Sequence, residues 1–217
     1  MSLVIFDLDN TLIGGDSDYL WGQFLVEKGV VDKKEYEQRN AKFYRDYCQG
    51  TLDIGEFLKF AFQPLKMNDI ETLNLWREEF IAEKIEPIIL PAACELVDRY
   101  SHASNVLLVL TATNHFVTEP IVALFGIDNV LATVPERKNG RFTGGVEGTP
   151  CFQGGKVSRL KTWLVENKVG FDDSWFYSDS HNDLPLLSLV DHPVAVDPDD
   201  TLKKHAIDKG WSIISLR

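Results

Sequence analysis

The sequence predicts an α/β protein with a doubly wound, mostly parallel sheet and an inserted block of helices. Residues 3–7 and 106–110 are short apolar runs without helical periodicity, which is typical of strands buried on both faces. After residue 87 such runs alternate with helices of moderate length, which favours parallel strands joined by crossover helices. Residues 15–86 show helical patterns only. We therefore expect residues 1–14 and 87–217 to form a core and residues 15–86 to form a helical cap domain.

The helical block is predicted from apolar spacing and from polar residues at helix starts. In the segment SDYLWGQFLVEKG the large apolar residues recur at helical spacing, and Gly29 is a suitable stop. Three further helices are expected over residues 32–49, 53–62 and 68–83, with Asp32, Asp53 and Asn68 as candidate N-caps.

The second part of the chain alternates between the two kinds of element. Helices are expected at residues 91–101, 116–125 and 156–167. Strands are expected at residues 106–110, 130–134, 174–177, 194–196 and 211–214, with a further hairpin strand at 141–146 beyond the turn at Asn139 and Gly140.

Composition restricts the classes of function. A chain of 217 residues suits one sizeable core with an appendage. The formal net charge of -11 disfavours nucleic acid and anionic membranes as partners. The three cysteines, Cys48, Cys94 and Cys151, lie far apart without a C-x-x-C pattern, which indicates reduced thiols. With neither a basic N-terminal region nor an apolar run long enough to span a bilayer, we expect a cytosolic protein.

Polar side chains follow three of the predicted strands. The first strand ends at Asp7 and Asp9, VLLVL is followed by Thr111, and SWFY is followed by the segment SDSHND at residues 178–183. Ligands of an open parallel sheet bind outside the carboxyl ends of its strands. We therefore expect these carboxylates, hydroxyls and amides to meet on one rim of the sheet.

The residue types on this rim suit phosphate chemistry with a hard cation. Mg²⁺ takes one or two protein carboxylates and commonly completes its shell with water and substrate phosphate, so Asp7 and Asp179 are the expected direct ligands. An aspartate beside the metal can attack phosphorus, and a partner two residues on, Asp9, can act as general acid and base. Two negative charges close together are then explained because Asp7 acts as the nucleophile and Asp9 as the acid and base.

Two further groups can hold phosphate oxygens. Thr111 offers a hydroxyl, and neighbouring backbone N–H groups such as that of Ala112 can donate as well. Lys156 opens the helix of GGKVSRLKTWL and offers an ammonium group beside a helix N-terminus.

Taken together, DLDNT, VLLVLTAT, GGK and YSDSHNDLPLL resemble, in order, the four motifs of the haloacid dehalogenase-like superfamily. The helical block lies where phosphoserine-phosphatase-like members carry their cap. The resemblance implies a Mg²⁺-dependent phosphatase in which Asp7 becomes the phosphoaspartate. Asp9 would protonate the leaving oxygen, later activate water, and bind Mg²⁺ through its backbone carbonyl. The second aspartate favours attack on phosphorus, since relatives that attack carbon lack it.

The other motif positions carry over in the same way. Thr111 and Lys156 look like the pair that orients phosphate, and Asp179 looks like the acidic metal ligand. Asn182 and Asp183 match positions that support phosphate and metal. The last motif begins with Ser178 where many relatives have glycine, and the second motif has threonine where the serine phosphatases have serine. Both departures bear on substrate identity more than on the type of reaction.

The expected substrate is a small phosphorylated metabolite with an amino group. Asp16 sits where phosphoserine phosphatases place a carboxylate that recognises the substrate ammonium, and Asp18 adds a second acid, although either could instead cap a helix. Histidinol phosphate is favoured because the cap is rich in aromatic residues. Phosphoserine is the alternative. The aromatic residues in question could equally form the core of the cap: Trp21, Phe24, Phe43, Tyr44 and Tyr47.

Three other functions remain open from the sequence. A phosphotransferase would use the same intermediate with an acceptor other than water. A phospho-acceptor signalling domain also gathers acids, a hydroxyl and a lysine on such a rim, but receiver domains are short, lack a cap and phosphorylate an aspartate after a later strand. An acidic binding module would show no turnover.

Overall fold

A central sheet of seven strands organises the protein. The structure is a computed structural model that describes residues 2–102 and 105–217. The strands are β1 (Leu3–Phe6), β2 (Val106–Asn114), β3 (Asn129–Lys138), β4 (Arg141–Glu147), β5 (Ser174–Ser178), β6 (His192–Val196) and β7 (Ser212–Ile214). They lie in the order β4-β3-β2-β1-β5-β6-β7, and only the β3–β4 pair is antiparallel. The predicted fold class is confirmed.

Helices follow β1 as far as residue 88. They are α1 (Ser17–Glu27), α2 (Lys33–Cys48), α3 (Ile54–Ala61), α4 (Gln63–Met67) and α5 (Ile70–Phe80), followed by a π-helical turn at Ile81–Ile85 and a 3₁₀ turn at Glu86–Ile88. Asp32 and Asp53 cap α2 and α3 as predicted. The prediction that Asn68 caps the next helix was wrong. The unpredicted helix α4 extends to Met67, so α5 begins one residue later and Asp69 caps it.

The remaining helices begin after residue 90, the first of them before β2 and the others after it. They are α6 (Pro91–Ser101), α7 (His115–Ala123), α8 (Gly154–Asn167), α9 (Leu184–Leu187) and α10 (Asp200–Lys209). The last two were not predicted. The helix α9 is a single turn, and α10 buries only Leu202 and Ala206, which leaves a weak apolar pattern in the sequence.

Alternate residues of β1 enter two different cores. Val4 and Phe6 belong to a cluster that includes residues of α1, α6 and α7. Leu3 and Ile5 belong to a cluster on the opposite face, formed with α8, α9 and α10. Because side chains of a strand point alternately to its two faces, helices cover both sides of the sheet. This layering places the carboxyl ends of the central strands at an edge free for a ligand.

The antiparallel hairpin of β3 and β4 supports the helical segment beside this edge. It packs against α3 and α4, and at Gly144 the backbone passes close to the Lys66 side chain. The helices in the described ranges are all too short or too polar to cross a membrane.

Candidate active site

The carboxyl ends of β1, β2 and β5 bring the predicted polar residues together. The backbone N–H of Asp7 donates to the carbonyl of Tyr177 at 2.9 Å, which extends the pairing of β1 and β5 beyond the strands. The backbone N–H of Asp179 donates to the hydroxyl of Thr11 at 3.1 Å. Leu8, between the two aspartates of the first motif, is buried in the core. Asp7 and Asp9 therefore both face the rim.

Lys156 forms the centre of the ionic contacts on this rim. Its Nζ donates to Oδ1 of Asp7 at 2.9 Å and to Oδ2 of Asp183 at 2.8 Å. The three side chains are 2–3 % exposed. The hydroxyl of Ser178 also donates to Asp183, at 2.7 Å. The Asp183 carboxylate, a predicted metal ligand, thus accepts hydrogen bonds from the Lys156 ammonium and the Ser178 hydroxyl.

A glycine allows α8 to bring Lys156 so close. A Cβ atom on Gly155 would lie 2.1 Å from the carbonyl oxygen of Pro150, well inside van der Waals contact. The GGK pattern therefore has a steric reason in addition to its resemblance to a phosphate motif.

Negative charge exceeds positive charge among the buried groups. Burial, and then the charges of Asp183 and Asp9, raise the pKa of Asp7 to about 8, although Lys156 opposes this. Burial and the charges of Asp7 and Asp183 raise the pKa of Asp179 well above its ordinary value. Burial alone would lower the pKa of Lys156, but Asp183 and Asp7 raise it overall. One ammonium does not balance these carboxylates, and a divalent cation would.

The donor set fits a magnesium site built from two carboxylates. In the described parts of the chain, no three acidic, histidine or cysteine side chains form a preassembled metal cage. Lys156 engages Oδ1 of Asp7, and the side chain of Asp179 has only a long contact of 3.4 Å with the Thr11 hydroxyl. Oxygen atoms of both aspartates are therefore available, and Mg²⁺ needs few protein carboxylates because it retains water.

The short hydrogen bonds that orient Asp9 come from Ser17 and Thr113, which the sequence did not single out. Oδ1 of Asp9 accepts the backbone N–H of Ser17 at 2.7 Å. Its Oδ2 accepts the hydroxyl of Thr113 at 2.7 Å and that of Thr111 only at 3.4 Å. Thr111 and Thr113 lie two residues apart on one strand and hence on the same side, which is the sequence signal that could have identified Thr113.

Asp16 and Asp18 are two further acidic side chains of the site. Asp16 accepts the backbone N–H of Tyr19 at 2.7 Å, so it caps α1, and it also lines the cavity described below. Asp18 accepts the side-chain amide of Asn114 at 3.3 Å. Burial and the charge of Asp9 raise the pKa of Asp16 well above its ordinary value and that of Asp18 to about 7.

A cavity separates the rim from α1, α2 and α3. Phe43, Tyr44 and Tyr47 line it, whereas Trp21 and Phe24 are buried in the core. Part of the aromatic set therefore lines the cavity, and part is buried in the hydrophobic core. None of the described residues lining the cavity is lysine, arginine or histidine: Asp7, Asp9, Asp16, Asp18, Tyr19, Asn40, Phe43, Tyr44, Tyr47, Leu52, Ile54, Phe57, Thr111, Ala112, Thr113 and Phe152.

Asn182 is engaged in a way that the motif did not predict. Its Oδ1 accepts the side-chain amide of Gln153 at 3.0 Å, and its Nδ2 donates to the backbone carbonyl of Tyr47 at 3.0 Å. Nδ2 also lies 3.3 Å from the hydroxyl of Ser180. The predicted phosphate-binding carboxamide therefore joins the last loop to α2 in this conformation.

Comparison with known proteins identifies relatives over the full length. Residues 4–188 match a family model described as haloacid dehalogenase-like hydrolase. A histidinol-phosphatase of Neisseria meningitidis serogroup C is 47% identical over 220 residues, which cover 100% of this chain and 99% of that protein. A phosphoserine phosphatase of Mycobacterium tuberculosis is 28% identical over 215 residues, covering 98% of this chain and 70% of that protein.

Solved structures agree with this assignment. A protein with unknown function from Bordetella pertussis Tohama I has a TM-score of 0.94 and 39% identity, with coverage of 100% of this chain and 99% of that one. A substrate-bound phosphoserine phosphatase has a TM-score of 0.72 at 19% identity, covers 99% of this chain and 92% of that one, and shows a likeness of fold alone. The resemblance predicted from the four motifs is confirmed, and the chain belongs to the haloacid dehalogenase-like hydrolases.

Proposed function

We propose that this protein is a Mg²⁺-dependent phosphatase that hydrolyses a small phosphomonoester through a phosphoaspartyl intermediate on Asp7. The observation that carries the proposal is the buried contact of 2.9 Å between Asp7 and Lys156, beside an Asp9 carboxylate fixed by Thr113 and Ser17. The enzyme class predicted from the sequence, a phosphatase, is supported by a histidinol-phosphatase relative at 47% identity.

Asp7 is the nucleophile in the proposed reaction. Lys156 holds Oδ1 and leaves Oδ2 to attack phosphorus. The bond from phosphorus to the ester oxygen breaks as the bond to Asp7 forms, and Asp9 gives its proton to the departing oxygen. In the second step Asp9 takes a proton from water, the water oxygen binds phosphorus, and the bond to Asp7 breaks. The pair of aspartates thus returns to its starting state.

The other rim residues hold the phosphoryl group during both steps. The ammonium of Lys156, the hydroxyl of Thr111 and the backbone N–H of Ala112 are the proposed donors to its oxygens. Asp7, Asp179 and the backbone carbonyl of Asp9 would hold Mg²⁺, with Asp183 in support. When bound, Mg²⁺ supplies positive charge against the buried carboxylates and the phosphate oxygens.

Residues 15–86 are proposed as a cap domain that covers the rim. The tyrosine and phenylalanine side chains on α2 and α3 close the cavity over Asp7. Exclusion of bulk water strengthens the electrostatic contacts of the phosphoryl group and protects the intermediate.

The lining of the cavity favours a substrate whose remainder is cationic and carries no carboxylate. Asp16 and Asp18 line the same cavity as Asp7, and no cationic side chain is among the described lining residues. A carboxylate, as in phosphoserine, would face these acids without a partner. Histidinol phosphate has an amino group for Asp16 and a ring for the aromatic wall. We propose it as the substrate, with the cytosol as the site of action and no nucleic-acid or membrane partner.

The test is phosphate release from histidinol phosphate, phosphoserine and acetyl phosphate, with and without Mg²⁺. We expect metal-dependent release that is fastest from histidinol phosphate and is lost in Asp7→Asn. Rapid quenching of Asp9→Asn with acetyl phosphate should trap phosphate on the protein. Acetate is a good leaving group, so attack by Asp7 does not need a proton from residue 9, whereas hydrolysis of the phosphoaspartate needs the missing base. Dephosphorylation of the substrate only in the presence of an alcohol, with the phosphoryl group recovered on that alcohol instead of as free phosphate, would indicate a phosphotransferase. A long-lived phosphoprotein in the wild type would indicate a signalling domain.

A further inference from the structure

Gln153 has a backbone conformation that is costly for any residue with a side chain. Its φ is 46° and its ψ is -119°, outside the ordinary regions for L-residues. Six non-glycine residues among those described have positive φ, and Gln153 is the one immediately before the helix that carries Lys156. Glycine would adopt this conformation without strain. The presence of glutamine instead indicates a role for its side chain.

The side chain of Gln153 determines the orientation of Asn182. The Gln153 amide nitrogen donates to Oδ1 of Asn182, so Nδ2 of Asn182 must point the other way, towards the carbonyl of Tyr47. A reversed carboxamide would place two donors together at Gln153 and two acceptors together at Tyr47. Asn182 is only 4% exposed, so neither mismatch is relieved easily by water. We call these two hydrogen bonds the carboxamide bridge.

The carboxamide bridge ends on the part of α2 that covers the cavity. Tyr47 lies in the last turn of α2, lines the cavity, and its ring centroid is 6.1 Å from that of Phe152. Beyond α2, a Cβ on Gly50 would lie 2.8 Å from Nε2 of His181. The end of α2 therefore rests directly on the last loop of the rim.

We propose that Gln153 is a positioning residue that holds the end of α2 on the rim through Asn182. Gln153 precedes the helix of Lys156, and Asn182 precedes Asp183, which bonds Lys156. The carboxamide bridge thus joins the segment before α8, the last loop and the cover of the cavity. Its loss leaves the ion pair of Lys156 intact and releases the cover. The kinetic consequence rests on the proposed phosphatase function, whereas the structural consequence does not.

Two variants separate the hydrogen bond from the backbone strain. Gln153→Gly relieves the strain and removes the amide, so we expect the unfolding temperature to change little. Gln153→Glu keeps the strain and the size but cannot donate to Asn182 Oδ1. Asn139→Gly is the matched control, because Asn139 also has positive φ, at 51°, and is exposed in the β3–β4 turn.

The first measurement is amide hydrogen exchange, which needs no substrate. Both variants at residue 153 should speed exchange in residues 44–50 and leave α10 unchanged, and the control should change neither. The second measurement is kcat/KM. We expect about a tenfold loss for histidinol phosphate, mainly through KM, and less than about a threefold loss for acetyl phosphate, which lacks the ring that the aromatic wall would contact.

Unchanged exchange in residues 44–50 of both variants would overturn the inference, whatever the kinetics. Equal losses for both substrates would overturn the coupling to the cover and assign Gln153 to the phosphate site. If the wild type hydrolyses no ester, the proposed function fails and the exchange result alone decides whether Gln153 positions α2.

Discussion

The Nζ atom of Lys156 lies 2.9 Å from Oδ1 of Asp7, and the two residues are 149 positions apart in the chain. This contact joins the end of β1 to the first turn of α8. A second contact, to Asp183, ties in the loop after β5. One ammonium group therefore serves three segments of the rim.

Lys156→Met should destabilise the protein because it leaves Asp7 and Asp183 buried without a cation. Removing one partner of a buried ion pair costs about 3–5 kcal/mol. The Asp7 carboxyl, whose pKa is already raised by burial, can escape part of this cost by binding a proton. Without the lysine charge that pKa rises further, so the loss of stability should be larger at pH 8 than at pH 5. Urea unfolding followed by circular dichroism at both pH values measures it.

Lys161→Met is the matched control, since Lys161 is an exposed residue of the same helix. It should change the free energy of unfolding by less than about 0.5 kcal/mol. An equal cost of Lys156→Met at pH 5 and pH 8 would contradict the proposed role of the lysine charge.

The sequence predicted the sheet and the rim because both depend on short-range patterns. Apolar runs identify strands, and the residues that follow them, such as Asp7 and Thr111, must lie at the carboxyl ends. The hydrogen bonds of Asp9 to Thr113 and of Asp183 to Ser178 were not predicted. They depend on which of several neighbouring hydroxyls reaches a carboxylate, and that is set by tertiary packing.

Gln153 shows the same limit of sequence reasoning. Nothing in GGK indicates that the preceding residue has a strained backbone or that its amide meets Asn182. From the sequence, Asp16 could either cap a helix or contact the substrate. The structure shows the cap and places the same residue at the cavity.

Thr113→Val should impair catalysis while the fold remains intact. The Thr113 hydroxyl donates to Oδ2 of Asp9 at 2.7 Å, and valine has nearly the same shape without a donor. A hydrogen bond to a charged group contributes about 1.5–3 kcal/mol, so kcat should fall about 10- to 100-fold. Thr113→Ser restores the hydroxyl and should restore kcat. Failure of serine to do so would show that Thr113 acts by packing alone.

Mg²⁺ should stabilise the protein even without substrate. Binding at one hundred times the Kd adds about 2.7 kcal/mol to the free energy of unfolding, which raises the Tm by several degrees. Asp179→Asn should abolish most of this shift, because Asp179 is a proposed ligand whose pKa is raised by burial and then by the charges of Asp7 and Asp183. Asp208→Asn, an exposed change on α10, should keep it. A full shift in Asp179→Asn, measured by scanning calorimetry with and without EDTA, would remove Asp179 from the site.

Asp18→Asn should stabilise the metal-free protein at pH 8 and weaken substrate selection. Burial, followed by the charge of Asp9, raises the pKa of Asp18 to about 7. The folded state therefore holds this proton more tightly than the unfolded chain, whose aspartates titrate near pH ~3.9, and stability falls between these two values as pH rises. Asparagine has no such titration. The variant should thus exceed the wild type in stability by on the order of 1 kcal/mol at pH 8 and by less at pH 5.

The same ionisation has a kinetic consequence. Only the carboxylate form of Asp18 attracts a cationic substrate, so the ratio of wild-type to Asp18→Asn kcat/KM for histidinol phosphate should increase from pH 6 to pH 8. Titration of the imidazole in the substrate affects both proteins alike and cancels in this ratio. Acetyl phosphate, which lacks a cation, should give a ratio that does not vary with pH. A constant ratio for both substrates would mean that Asp18 does not contact the substrate. The stability difference would then reflect only the cost of keeping an acid beside Asn114.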